Sequence, residues 1–204
     1  MKKKQILGLT GSMQSGKQEL RPLFESHGYV FVDLNRIVNL ARLLYPRVYR
    51  SRGLNVTNDG SEGPGYYATL AASPTLHRRI QAMENDFVIR QLAKHLDSID
   101  SDKIVLSWGY LYQLLGFVPV DHLLLFRSDP PIWIERIRKK AASIGFEMTH
   151  AQVNTFAKDI EMDPVEIARS IASKIPADRL SVIDTSAEDY NKNGVDALLG
   201  KLTA

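Results

Sequence analysis

The sequence predicts an α/β fold on a parallel sheet of about five strands. One observation is the stretch Gly11-Ser12-Met13-Gln14-Ser15-Gly16-Lys17-Gln18, a glycine loop set between an apolar strand and a helix. Another is the recurrence of short, continuously apolar runs separated by helical segments, the pattern of interior parallel strands covered on both faces. The last is size: 204 residues, 44% hydrophobic and 24% charged, suit one compact core with inserted subregions.

The elements follow in order. Gln5-Ile6-Leu7-Gly8-Leu9-Thr10 reads as a buried strand, and Lys17 to His27 as a helix with Leu20, Leu23 and Phe24 inward. Pro22 falls in its first two turns, where it removes one backbone bond. Tyr29 to Val32 forms a second strand ending at Asp33, then a helix runs from Arg36 to about Tyr45 with Ile37, Val38, Leu40 and Leu44 as its apolar side. Residues 50–65, rich in Gly, Asn, Ser and Asp, read as a long mobile loop. Leu76, Ile80, Met83, Phe87, Val88, Leu92 and Leu96 recur at helical spacing and predict a long amphipathic helix from Pro74 to about Leu96.

Farther on, Lys103 to Trp108 and His122 to Phe126 are strands. Asp129-Pro130-Pro131 caps and starts a helix through Lys140, because proline suits the first helical turn. Thr149-x-x-Gln152 and Asp163-x-x-Glu166 have the spacing of capping boxes. Leu180 to Asp184 is a closing strand that leads through Thr185-Ser186 to a helix ending near Leu202.

The glycine loop carries the chemistry. In G-x-x-x-x-G-K, backbone N–H groups curl around a polyphosphate and the lysine ammonium reaches its outer oxygens. Gly11, Ser12, Met13, Gln14, Ser15, Gly16, Lys17 and Gln18 are therefore the expected nucleotide cradle. A Ser or Thr hydroxyl normally follows the lysine as a Mg²⁺ ligand, whereas this chain has Gln18. The helix-borne pair His77 and Arg78 are candidates for substrate binding. The arginines at 42, 47, 50 and 52 read as a solvated face.

Composition excludes several classes. The chain has no cysteine, which removes disulfides, thiolate catalysis and cysteine metal sites. A net charge of +3 and a pI of about 9.0, without a basic stripe interleaved with aromatics, do not point to nucleic acid. No apolar run approaches a bilayer span, and Met1-Lys2-Lys3-Lys4 leads directly into the first strand, so the expected location is cytoplasmic, with no membrane partner.

Taken in order, these segments resemble the dephospho-CoA kinases, a family of P-loop kinases, over nearly the whole length. The resemblance rests on Ile6-x-Gly8-Leu9-Thr10-Gly11 through Ser15-Gly16-Lys17, on Gly28 to Asp33, and on Leu76-His77-Arg78-Arg79-Ile80, with Arg78 where the family has proline. Gly109-Tyr110-Leu111-Tyr112-Gln113, Glu135-Arg136 onward and Val182 to Ser186 extend it. It implies a three-layer P-loop kinase sandwich in one domain over 1–204, with a helical substrate subregion at about 50–98 and a lid at about 136–165.

The implied activity is transfer of the γ-phosphoryl group of ATP, with Mg²⁺, to the ribose 3′-hydroxyl of dephospho-CoA, a small nucleotide-like substrate. Lys17 would hold the β- and γ-phosphates, and Arg136 or Lys140 would close over the transferring group. Asn35 stands where the family places its base, which leaves Asp33 as a substitute base and, with Gln18, a metal ligand, or alternatively as a helix cap. Gln113 replaces a glutamate. These amides for carboxylates keep open a non-catalytic nucleotide-binding protein, and a kinase acting on nucleoside monophosphates is the other alternative.

Overall fold

The computed structural model describes residues 4–11, 14–143, 149, 164–186 and 192–203. Five strands, β1 Gln5–Gly11, β2 Val30–Asp33, β3 Lys103–Ser107, β4 His122–Arg127 and β5 Leu180–Asp184, form one sheet in the order β2-β3-β1-β4-β5. Every pairing is parallel. This register sets Leu9 beside both Ser107 and Leu124, and Gly11 beside Phe126. The C-terminal ends of β1, β3 and β4 thus lie together, which is where ligands bind in open parallel sheets.

The continuous apolar runs follow from burial on both faces. Ile6, Ile104, Leu106 and Leu123 pack with Val88, Leu92 and Leu96 of α5, Pro74–Ser98, on one side. Leu7, Leu9, Val105, Leu124 and Phe126 pack on the other with Phe24 of α1, Arg21–Ser26, and with Val195 and Leu199 of α9, Lys192–Thr203. Alternation along each strand therefore yields three layers. A satellite core joins Tyr49 of α3, Pro46–Arg50, Tyr66 of α4, Tyr66–Ala71, Ile80 of α5, and Trp133 and Ile137 of α7, Pro130–Ser143. Helices α6, Leu111–Leu114, and α8, Pro164–Ala172, complete the described set.

The strands match the sequence reading to within one or two residues, and Ser73 caps α5 by accepting the Leu76 N–H at 3.3 Å. Three expectations are corrected. The helix expected over 17–27 is a 3-10 turn, Lys17–Leu20, followed by α1. Proline explains the break: Pro22 has no N–H to bond back to residue 18, so regular α-geometry begins around it.

On α2, Asn35–Leu44, the residues facing inward are Val38, Ala41 and Arg42, while Leu40 and Leu44 are exposed. The expected loop over 50–65 contains hydrogen-bonded turns and an antiparallel bridge of Val56 with Glu62, closed by Thr57 N–H to the Ser61 carbonyl at 3.0 Å. The two expected capping boxes depend on 152 and 163 and lie outside the described residues, as does most of the expected lid. Among the described residues no helix is long and apolar enough to cross a membrane.

Candidate active site

The end of β1 approaches β4 so closely that a Cβ on Gly11 would lie 1.9 Å from the Phe126 carbonyl oxygen. Only glycine fits there, and its φ of 120° adds to the restriction. The chain then turns through Gln14, with φ 58°, and Gly16, with φ 78°, a succession of left-handed residues that suits an anion nest. Ser12 and Met13 lie outside the described residues.

Lys17 is nearly buried beneath the loop, and its ammonium donates to the Gly11 carbonyl and to Ser15 Oγ, both at 2.9 Å. The loop's own acceptors hold the cation at the floor of the cleft. This cleft, of about 230 Å³, is lined by Gly11, by Gln14 to Glu19, and by Asn35, Ser107, Trp108 and Tyr110. Gln18 faces it with an exposed amide.

The β1 and β3 ends are tied together. Thr10 Oγ1 donates to the Gly109 carbonyl at 2.8 Å, and Trp108 N–H donates to the Leu9 carbonyl at 3.0 Å. At this junction the buried Ser107 hydroxyl has no hydrogen-bond partner among the described residues, although it lines the cleft. An orphaned buried hydroxyl is costly unless something else bonds it.

Asp33 ends β2, and its Oδ1 accepts from the backbone N–H and the side-chain amide of Asn35 at 3.0 and 2.9 Å. In that geometry Asp33 satisfies the first N–H of α2 and orients the Asn35 amide, which lines the cleft, while Asp33 itself is not among the lining residues. Gln113 sits in a run of amides, accepting from Asn85 at 2.6 Å and donating to Tyr112 at 2.9 Å, while Asn85 accepts from Gln81. It therefore braces α6 against α5.

Arg136 lies away from the cleft lining. Its guanidinium donates to the Thr185 carbonyl at 2.7 Å and to Ser128 Oγ at 3.1 Å, strapping α7 to the turn after β5. The backbone of Lys140 belongs to α7, and its side chain lies outside the described residues. Arg78 is exposed on α5. His77 is buried, 3.5 Å from the Tyr110 hydroxyl, and burial with Arg78 nearby pushes its pKa down to about 4. It is neutral at physiological pH.

Beside the cleft lies a second cavity, of about 70 Å³, which shares Asn35, Trp108 and Tyr110 with it. His77 lines it, along with Arg42, Glu62, Glu84, Tyr66 and Tyr67. Arg42 is not on a solvated face, as its position in an arginine-rich segment suggested. It is buried, with Nε on Glu84 at 2.9 Å and Nη1 on Glu62 at 2.6 Å. Glu84 also accepts from Tyr49 at 3.2 Å and Tyr66 at 3.5 Å. The signal in the sequence was Glu84 and Gln81 recurring on the apolar face of α5, where polar residues need partners.

A phosphate chain fits the loop: its backbone is preshaped and its lysine is in place. Among the described residues no group of three or more His, Asp or Glu side chains converges on a metal position. The neutral oxygens of Gln18 and Ser107 suit a Mg²⁺ that arrives on phosphate oxygens, since Mg²⁺ keeps most of its waters and leans on substrate phosphates.

Comparison with solved structures agrees with this topology. Aligned over the whole of both chains, TT1252 from Thermus thermophilus superposes with a TM-score of 0.64 at 22% identity. A candidate kinase from Chloroflexus aurantiacus superposes with a TM-score of 0.58 at 13% identity, over 99% of this chain and 97% of that one. What is shared is the α/β fold, a five-stranded parallel sheet with helices packed on it. No family model and no curated protein matches the chain. At these identities the likeness shows the fold alone, and the chemistry must be argued from the site.

Proposed function

We propose that this chain is an ATP-dependent phosphotransferase acting on a hydroxyl of a small nucleotide-like molecule, with the ribose 3′-hydroxyl of dephospho-CoA as the first acceptor to test. The observation that carries it is the glycine loop with Lys17 on its floor, beside a second cavity that shares Asn35, Trp108 and Tyr110 with the cleft. A donor cleft joined to an acceptor cavity is what in-line phosphoryl transfer requires.

ATP and its Mg²⁺, when bound, supply the transferable phosphoryl group and part of the charge neutralisation. The chain's residues do the positioning. Lys17 offers its ammonium to the outer phosphates, the loop N–H groups hold them, and Gln18 and Ser107 offer oxygens to the metal side of the cleft. Asn35, fixed by Asp33, presents an amide at the mouth shared by the two cavities and orients the incoming hydroxyl. An amide accepts no proton at neutral pH, so Asp33 is the nearby group able to take one. A loose transition state demands little from that base. Arg136 would join the site only by leaving Thr185, which assigns it to a closed state of α7.

A second reading is a nucleotide binder without turnover, which the neutral residues Gln18, Asn35 and Gln113 favour. The deciding experiment is mass-spectrometric detection of 3′-phosphorylated product from Mg²⁺, ATP and dephospho-CoA, with Lys17→Ala as control. The expected result is product that falls at least about a hundredfold in the variant. Tight Mg²⁺-independent ATP binding with no product from this acceptor or from other hydroxyl compounds would establish the binder instead.

A further inference from the structure

We infer that the cavity beside the phosphate loop seats an amino group carried by the acceptor, and that it excludes phosphate and carboxylate. The inference rests on the phosphotransferase reading only for naming the ligand an acceptor; the chemistry of the cavity stands by itself. Its walls bring two carboxylates, Glu62 and Glu84, against one guanidinium, Arg42. The Arg42 and Glu84 side chains are each 6% exposed, so they have little water to share charge with, and Glu62 is 29% exposed.

With all three ionised the sum is one negative charge; burial raises the Glu84 pKa while Arg42 opposes that rise, and His77, whose pKa burial lowers, adds no positive charge. Arg42 already gives Nε to Glu84 and Nη1 to Glu62, and its guanidinium lies 4.9 Å from the centre of the Tyr66 ring. An anion entering here would meet carboxylates before it met a free cationic donor, at a cost that low dielectric magnifies. This argues against a nucleoside monophosphate inserting its phosphate.

An ammonium or amino group meets the opposite field. Carboxylate oxygens accept its N–H bonds, and the aromatic side chains of Tyr67, Trp108 and Tyr110 line the same cavity. The volume of about 70 Å³ holds only the tip of a molecule, roughly two water volumes. The remainder would extend through Asn35 and Trp108 toward the phosphate loop, carrying its hydroxyl to the transferring group.

The test is ligand-observed NMR with two isosteric probes, 2-aminopropane-1,3-diol and glycerol, at millimolar concentration. The amino probe is expected to bind at least about tenfold more tightly. Glu62→Gln should abolish that preference, and Glu62→Asp should restore part of it, which a merely structural role for Glu62 would not do. Equal binding, no binding of either probe, or a preference unchanged in Glu62→Gln overturns the inference. Binding of Mg²⁺ and ATP measured in the same samples judges the phosphotransferase reading separately, because its loss beside an intact amino preference would count against that reading alone.

Discussion

The two adjoining cavities are built by opposite means. The phosphate cleft is made of backbone: left-handed turns, a glycine pressed against a carbonyl, and a lysine held by the loop's own oxygens. The second cavity is made of side chains from α2, α4 and α5, with buried charges and rings that no single segment contains. A backbone site tolerates exchange of its exposed side chains but not of its glycines, whereas a side-chain site depends on each ion pair and fixes what may enter. On the phosphotransferase reading proposed above, the general half of the site is locally encoded and selectivity lies in the assembled half.

That contrast can be broken first at Gly11. Gly11→Ala forces a methyl group onto the Phe126 carbonyl at a φ of 120°, and thermal unfolding should show a loss of about 3–5 kcal/mol. A stable variant with intact nucleotide binding would mean that the loop is not the close-packed element described. Arg42→Met should cost a similar or slightly smaller amount, about 3–4 kcal/mol, by leaving Glu84 buried and uncompensated. The double variant Arg42→Met with Glu84→Met should recover most of it. No recovery in a double-mutant cycle would show that packing, not charge, holds this wall.

The next effect is acid sensitivity. His77 is held near pKa 4 against an ordinary 6.5, so the folded state resists a proton that the unfolded state accepts. The stability from keeping it neutral is complete above about pH 6.5 and is lost as pH falls toward 4, by roughly 3 kcal/mol at most. His77→Asn should flatten that part of the pH–stability curve. An unchanged curve would mean that the imidazole is hydrated in solution. The smallest effect is at Ser107. Removing its orphaned hydroxyl as Ser107→Ala should leave the ligand-free protein equal or about 1 kcal/mol more stable while weakening Mg²⁺-dependent nucleotide binding. A destabilised variant with unaltered binding would place the hydroxyl in the fold and not in the site.

Much of this was legible in the chain. The loop from Gly11 to Lys17 is a local spacing, and Ile6, Leu7 and Leu9 announce their strand by uninterrupted apolarity. Pro22 marked the disturbance in the following helix, though not the 3-10 turn that absorbs it. Leu40 and Leu44 misled because an apolar stripe shows that a face can be buried, not that a partner covers it. Arg42 misled in the opposite sense. It sits among arginines in sequence, and its burial depends on Glu62 and Glu84, twenty and forty-two positions away.

Local spacing and apolar periodicity determined by themselves the α/β class and the glycine loop, because those features are set by neighbours within a turn or a strand. The tertiary structure alone decided that Ser107 lines the glycine-loop cleft with no partner among the described residues, that Asp33 orients Asn35 beside it, and that Arg42, Glu62 and Glu84 share one cavity with His77. The reason is the strand order β2-β3-β1-β4-β5, which brings residues a hundred positions apart to one edge of the sheet, where charge and desolvation are settled by position in space.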